Sequence, residues 1–153
     1  MAKLAGGWQI NGSTSYRAGF PVSMSATIPG GGNRPNSTGK SAALDDSRTR
    51  GEKLNRWFDT SAFLLPPSFS LGNVGRTLPD VRGSSIANLD LSLIKNTKLT
   101  EKVQLQVRFE YFNVTNTPPF GQPNTGLGSG AFGRVTSTVL LPRVGQVAAK
   151  INF

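Results

Sequence analysis

Residues 101–114, EKVQLQVRFEYFNV, alternate apolar and polar positions almost without interruption. Val103, Leu105, Val107, Phe109 and Tyr111 fall on one side of an extended chain, with Gln104, Gln106, Arg108 and Glu110 on the other. A period of two is the mark of a two-faced β-strand. The alternation recurs in GWQINGSTSYR, where Trp8, Ile10, Thr14 and Tyr16 oppose Gln9, Asn11, Ser13, Ser15 and Arg17. It recurs in VSMSATI, with Val22, Met24, Ala26 and Ile28 on one side, and in ANLDLSLI, with Ala87, Leu89, Leu91 and Leu93 on one side. Counting back from Phe153, Ile151, Ala149, Val147 and Gly145 share a face, with Gln146, Lys150 and Asn152 opposite.

The pattern predicts an all-β chain of antiparallel strands and hairpins, with strands at about 7–17, 21–28, 86–95, 102–114, 133–139 and 143–153. A long irregular loop is expected over 29–85, opening on the turn-rich PGGGNRPN. The polar stretch KNTKLTEK reads as the turn of a hairpin centred near Leu99. That register sets Leu89 opposite Phe109, Leu91 opposite Val107, Leu93 opposite Leu105, and Asp90 opposite Arg108 as a favourable cross-strand ion pair.

Whether the apolar rows meet a protein core or lipid is not decided by periodicity. Three features tilt the reading toward lipid. The polar faces carry Gln, Arg, Glu, Asp, Asn and Ser, suited to a hydrated lumen. The alternating segments reach about 9–11 residues, the length of a tilted transmembrane strand. The final strand ends on an aromatic residue. The row Leu89, Leu91, Leu93, Val103, Leu105, Val107, Phe109 and Tyr111 is therefore read as lipid- or core-facing.

Composition removes several chemistries. The 153 residues contain neither Cys nor His, which excludes disulfides, thiolate metal sites, thiol nucleophiles and the usual neutral-pH base. No catalytic residue, cofactor site or metal site is expected, and the chain is read as non-enzymatic. Asp45 and Asp46 are adjacent in a polar stretch that suits a solvated turn better than an acid–base dyad. Eighteen Gly and 10 Pro fit many short segments joined by turns. The glycines of NTPPFGQPNTGLGSGAFG lack the Lys-Ser/Thr pair and following helix of a phosphate-binding loop.

The net charge of +9 is scattered over 17 basic residues, most densely in RTRGEKLNR at 48–56. Solvated charge is the plain reading of that stretch, and a phosphate-binding patch, for lipopolysaccharide or nucleic acid, is the sharper one. The N-terminal MAKLAGGWQI has no apolar run of signal-peptide length. Taken at face value the chain is expected to stay in the cytoplasm; as a piece of a longer parent the absence carries no such meaning.

A succession of motifs carries a resemblance. GGWQINGSTSYRAGFPVS, GGGNRPN, RWFDTSAF, GNVGRTLPDVRGSSIANLDLSLIKNTKLTEKVQLQVRFEYFNVTN, PFGQPNTGLGSGAFGRVTS and the closing INF follow one another along nearly the whole chain. In this order they resemble the C-terminal end of an Oar-like TonB-dependent outer-membrane receptor of the carboxypeptidase-regulatory-like, acidobacterial type. The resemblance implies a single C-terminal segment of a barrel of about 22 strands, closed around a plug. It also implies that Val147, Ala149, Ile151 and Phe153 form the signal read by the barrel-assembly machinery. TPPF stands where that family has HPNF, and the six expected strands are too few to close such a barrel.

The partners implied are the outer membrane with its lipopolysaccharide, the assembly machinery, and the remainder of the receptor chain or further copies paired through open strand edges. The substrate stays unassigned. Two other readings remain open: a soluble or self-associating β-rich binding protein, and a basic binder of nucleic acid or another anionic polymer. A detergent requirement favours the receptor, monodispersity in plain buffer the soluble protein, and steep salt dependence of affinity the polyanion binder.

Overall fold

The structure, a computed structural model, describes residues 5–153; Met1–Leu4, part of the stretch read for a leader, lie outside them. The described chain forms two compact units. A strand unit combines the segment ending at Arg17 with Ile86–Pro119 and Leu140–Phe153; a loop unit combines Ala18–Ser85 with Phe120–Val139.

The strand unit is a four-stranded antiparallel sheet. Its strands are β1 (Trp8–Arg17), β5 (Ile86–Lys98), β6 (Gln104–Phe112) and β8 (Val144–Asn152), in the order β1-β5-β6-β8. Four of the six stretches expected from the alternation therefore join the sheet. The hairpin forms, but its register is corrected by four residues: Leu91 pairs with Tyr111, Leu93 with Phe109, Lys95 with Val107 and Thr97 with Leu105. The strand runs on through Lys95–Lys98, and the turn tightens around Val103, whose carbonyl accepts from Leu99 N (2.9 Å) and Thr100 N (3.2 Å). Val103 is thus a turn residue, its own N–H bonded to Thr100 Oγ1 at 3.1 Å. An even shift leaves every face unchanged.

The expected Asp90–Arg108 pair does not form. Arg108 lies opposite Ile94 on one side and Ala148 on the other. Asp90 instead accepts from Asn88 Nδ2 (3.0 Å) and from the backbone N–H of Asn113 (2.8 Å).

The two other predicted strands belong to the loop unit. Residues 21–28 are extended, but Pro21 and Pro29 bracket them and remove ladder donors. Their pairings are local: Val22 N to Val81 O (3.1 Å), Ser25 N to Thr125 O (3.1 Å), Ala26 N to Asn33 O (2.9 Å). Only β2 (Ser25–Ala26) is regular, parallel to β7 (Gly126–Leu127). Residues 133–139 contribute one isolated bridge, Phe120 to Thr138, and Val135 N bonds to Leu54 O at 2.9 Å.

The stretch 29–85, expected as one irregular loop, is folded. It holds β3 (Asn36–Ser37), paired with β4 (Phe63–Leu64), and a short helix α1 (Arg50–Asn55). A core of Val22, Met24, Ala42, Phe58, Ala62, Phe63, Val74, Leu78 and Val81 holds it together. At its centre Phe58, fully buried, meets Phe63 and Phe132 edge-on, with ring centroids 5.8 and 5.3 Å away. Phe63 and Phe132 close the triangle at 6.2 Å. Such geometry sets ring edges against ring faces and adds to the burial itself. Gly133 follows this cluster with φ of +81°, and a Cβ there would lie 2.8 Å from Thr60 Cγ2, so the turn requires glycine.

Phe58→Ala therefore removes the middle of the core and is expected to destabilise the loop unit by about 3–5 kcal/mol. Leu71→Ala, at an exposed position, is expected to change stability by less than about 0.5 kcal/mol. Urea unfolding followed through Trp57 in a Trp8→Phe background checks both, because Trp57 packs against this core.

Candidate functional site

The strand wall is apolar on its exposed side. Register aligns the rows across all four strands: Ile10 beside Leu93 beside Phe109 beside Val147, and Thr14 beside Leu89. Leu105 pairs with Ile151, and Val107 with Ala149. Leu91 and Tyr111 pair directly, flanked by Gly12 and Gly145. The Tyr111 ring lies over Gly145, where an added Cβ would stand 3.1 Å from its Cε1. Ile10 is 76% exposed and Val147 69%, whereas Ile94, on the polar side of β5, is 4% exposed. On β1 and β8 both faces are exposed, so the apolar rows are left uncovered where a water-soluble sheet covers them.

The ends of the apolar row on β1 are aromatic. Trp8 and Tyr16 are eight residues apart, or about 26 Å at about 3.3 Å per residue. That is close to the height of the apolar band on a membrane barrel, about 25 Å, flanked by aromatic girdles. Lys95 Nζ sits 5.0 Å from the Trp8 ring centroid and donates to Gly6 O. A cation at the rim of an apolar row keeps its head polar while its stem lies along the surface. Phe153 follows β8 and is 99% exposed.

The polar side is braced by a buried residue that the alternation did not single out. Asn113, buried, takes a left-handed backbone (φ 51°) just past β6. Its Nδ2 donates to Leu141 O (3.1 Å), and its Oδ1 accepts from Thr117 N (3.2 Å) and Thr115 Oγ1 (3.3 Å). Asn116 Oδ1 accepts from Arg143 N at 3.1 Å, tying this turn to the approach of β8. The only sequence signal was the FNVTN string itself, since Asn favours the left-handed region and local side-chain bonds.

In the loop unit the basic stretch 48–56 is ordered by α1. Thr49 and Glu52 form a reciprocal capping box: Thr49 N reaches Glu52 Oε2 (2.8 Å), and Glu52 N reaches Thr49 Oγ1 (3.4 Å). Asp45 and Asp46 are not a dyad. Asp45 accepts from Ser47 N (2.9 Å) and Ser47 Oγ (2.7 Å), while Asp46 lies 3.6 Å from Lys53 Nζ. Among the described residues, no group of three or more His, Cys, Asp or Glu is placed to hold a metal ion.

Four carboxylates of this unit are held below their usual range. The Ser47 amide lowers Asp45, the Thr49 hydroxyl lowers Glu52, the Ser61 amide lowers Asp59, and the Ser41 hydroxyl lowers Asp80. Each group binds its proton more readily in the unfolded chain. The stability each contributes is therefore complete above the unfolded value, about 4, and is lost as pH falls through the lower folded value. Asp80, bonded to Ser41 Oγ at 2.7 Å, ties two distant segments of the unit together. Asp80→Asn is expected to lower the urea midpoint of the Trp57 signal at pH 6, and the gap from the unmutated protein is expected to close below about pH 4.

No curated protein and no solved structure matches the chain. A family model described as an outer membrane beta barrel domain matches residues 1–146, and with its apolar strand faces turned outward the chain belongs to that family.

Proposed function

We propose that this chain supplies strands to the barrel of an Oar-like TonB-dependent outer-membrane receptor, with no catalytic role of its own. The observation that carries the proposal is the exposed apolar wall of β1, β5, β6 and β8. The motif succession from GGWQING to GRVTS supports the finer assignment. The sheet is open: β1 and β8 are its outer strands, and each offers an edge of backbone donors and acceptors for a further strand. Those strands come from the rest of a receptor chain. Further copies of this chain, joined edge to edge, are the second reading that the open edges favour.

On this proposal Trp8 lies at the lipid boundary and Trp57 packs against a polypeptide core, away from lipid. In vesicles carrying brominated acyl chains, Trp8 emission is expected to be quenched and Trp57 emission preserved, with Trp8→Phe removing the quenchable signal. Monodisperse behaviour in plain buffer together with equal quenching of both residues would sink the proposal.

The outer edge of β8 is proposed as the surface that the barrel-assembly machinery reads. Val147, Ala149, Ile151 and Phe153 form its apolar row, and β8 pairs only with β6 among the described strands. Extending a free edge by a partner strand is a general mode of recognition. Deleting Phe153 in the parent protein is expected to reduce its outer-membrane level without changing synthesis, and Lys150→Gln, on the polar side, is expected to matter much less. Unchanged membrane levels after Phe153 deletion would remove this role.

A further inference from the structure

A cleft of about 650 Å³ opens in the loop unit, lined by residues from 43–57, 79–85 and Phe120. Four cationic side chains converge on it, those of Arg48, Arg50, Lys53 and Arg82, against the carboxylates of Asp46 and Asp80. The arginines are held in place by carbonyl oxygens and a ring face. Arg48 donates through Nε to Asp45 O (2.9 Å) and through Nη1 to Arg56 O (2.6 Å). Arg82 donates through Nη1 to Gly19 O (3.1 Å). Arg50 stacks its guanidinium over the Phe120 ring, 4.5 Å from the centroid. Arg48 also lies in the field of Asp45 and Glu52, which are outside the lining, so Arg50 and Arg82 carry most of the positive field of the cleft.

The two acids do not cancel that field. Asp80, bonded to Ser41 Oγ on the neighbouring segment, keeps its charge, but the lining still carries four cations against two carboxylates. Asp46 is fully exposed and stands 3.6 Å from Lys53 Nζ, a solvent-screened contact that an incoming dianion can displace at small cost. Trp57 completes the wall, anchored through Nε1 to Arg82 O at 2.7 Å. Its indole gives a flat apolar surface beside the charges, and Ser84 and Ser85 add polar groups at the same cleft. The volume is that of a small-molecule site.

We propose that this cleft binds a phosphorylated sugar: the arginines and Lys53 take the phosphate, and Trp57 packs against the apolar face of the sugar ring. Fixed guanidinium groups match phosphate oxygens through paired N–H donors. The same chemistry is offered by a free sugar phosphate and by the phosphorylated headgroup of lipopolysaccharide. The site lies wholly within the loop unit, so this inference goes beyond the barrel role and does not depend on insertion into a membrane.

The test uses the full chain in detergent, in a Trp8→Phe background that leaves Trp57 as reporter. Glucose 6-phosphate is expected to change Trp57 emission saturably and glucose is not, with affinity falling as salt is raised. Arg50→Gln combined with Lys53→Gln is expected to weaken glucose 6-phosphate by about tenfold or more, as loss of charged hydrogen bonds does. Arg76→Gln, away from the cleft, is expected to leave it unchanged, and an unaltered urea midpoint shows that each variant is folded. Competition by purified lipopolysaccharide identifies the headgroup as the natural source, and failure to compete identifies a free sugar phosphate. Absence of saturable binding, equal affinity for glucose, or full affinity in the folded double variant would overturn the proposal.

Discussion

The outward turn of the apolar rows is the constraint on which the strand unit depends. Pairing on both sides of β5 and β6 satisfies their backbone groups within the sheet, which is what a hydrocarbon environment demands of any segment that crosses it. Once the ladders are closed, the surroundings determine which face turns outward. Ile10, Leu93, Tyr111, Val147 and Ile151 would each leave apolar area in water, at about 25 cal/mol per Å². In an acyl-chain environment that penalty vanishes, and a contiguous exposed apolar surface is a mark of membrane or partner contact.

The polar side of the wall obeys the opposite rule. A barrel interior can be hydrated, yet the residues nearest the turns are bonded rather than left wet. Asp90 receives the Asn113 amide, and Asn113 in turn holds Leu141 and the Thr115–Thr117 segment. A buried asparagine with its bonds complete fixes one backbone geometry, because an unmade bond there is costly. The turn after β6 and the approach to β8 are thus set by polar complementarity, and the strands between them by pairing.

The loop unit solves a different problem. It has little regular structure from which to build a core, so three phenylalanines from two segments supply the centre of the burial. Phe132 meets Phe58 and Phe63 from 69 or more residues further along the chain, and the capping box on α1 orders the charged segment that leads into the first two. The carbonyl-anchored arginines are a consequence: a chain folded by scattered aromatic contacts leaves many carbonyls outside ladders, and Arg48 and Arg82 bond to them. The result is a fixed, positively charged cleft beside an indole.

The sequence by itself determined the two faces of β1, β5, β6 and β8, because alternation is a local consequence of the extended backbone. It also determined that Val22, Met24, Ala26 and Ile28 share a side, and that no His or Cys chemistry is available. Only the tertiary structure decided the hairpin register, since a slip of four residues preserves every face and is silent in the pattern. Only tertiary structure sent residues 21–28 into a protein core instead of the wall, because identical alternation serves both and the flanking prolines gave the sole local hint. The basic stretch at 48–56 was legible as charge, but its meeting with Arg82, Trp57 and Phe120 was not. Convergence of residues far apart in the chain depends on the path the backbone takes, and that path is fixed by long-range packing around Phe58.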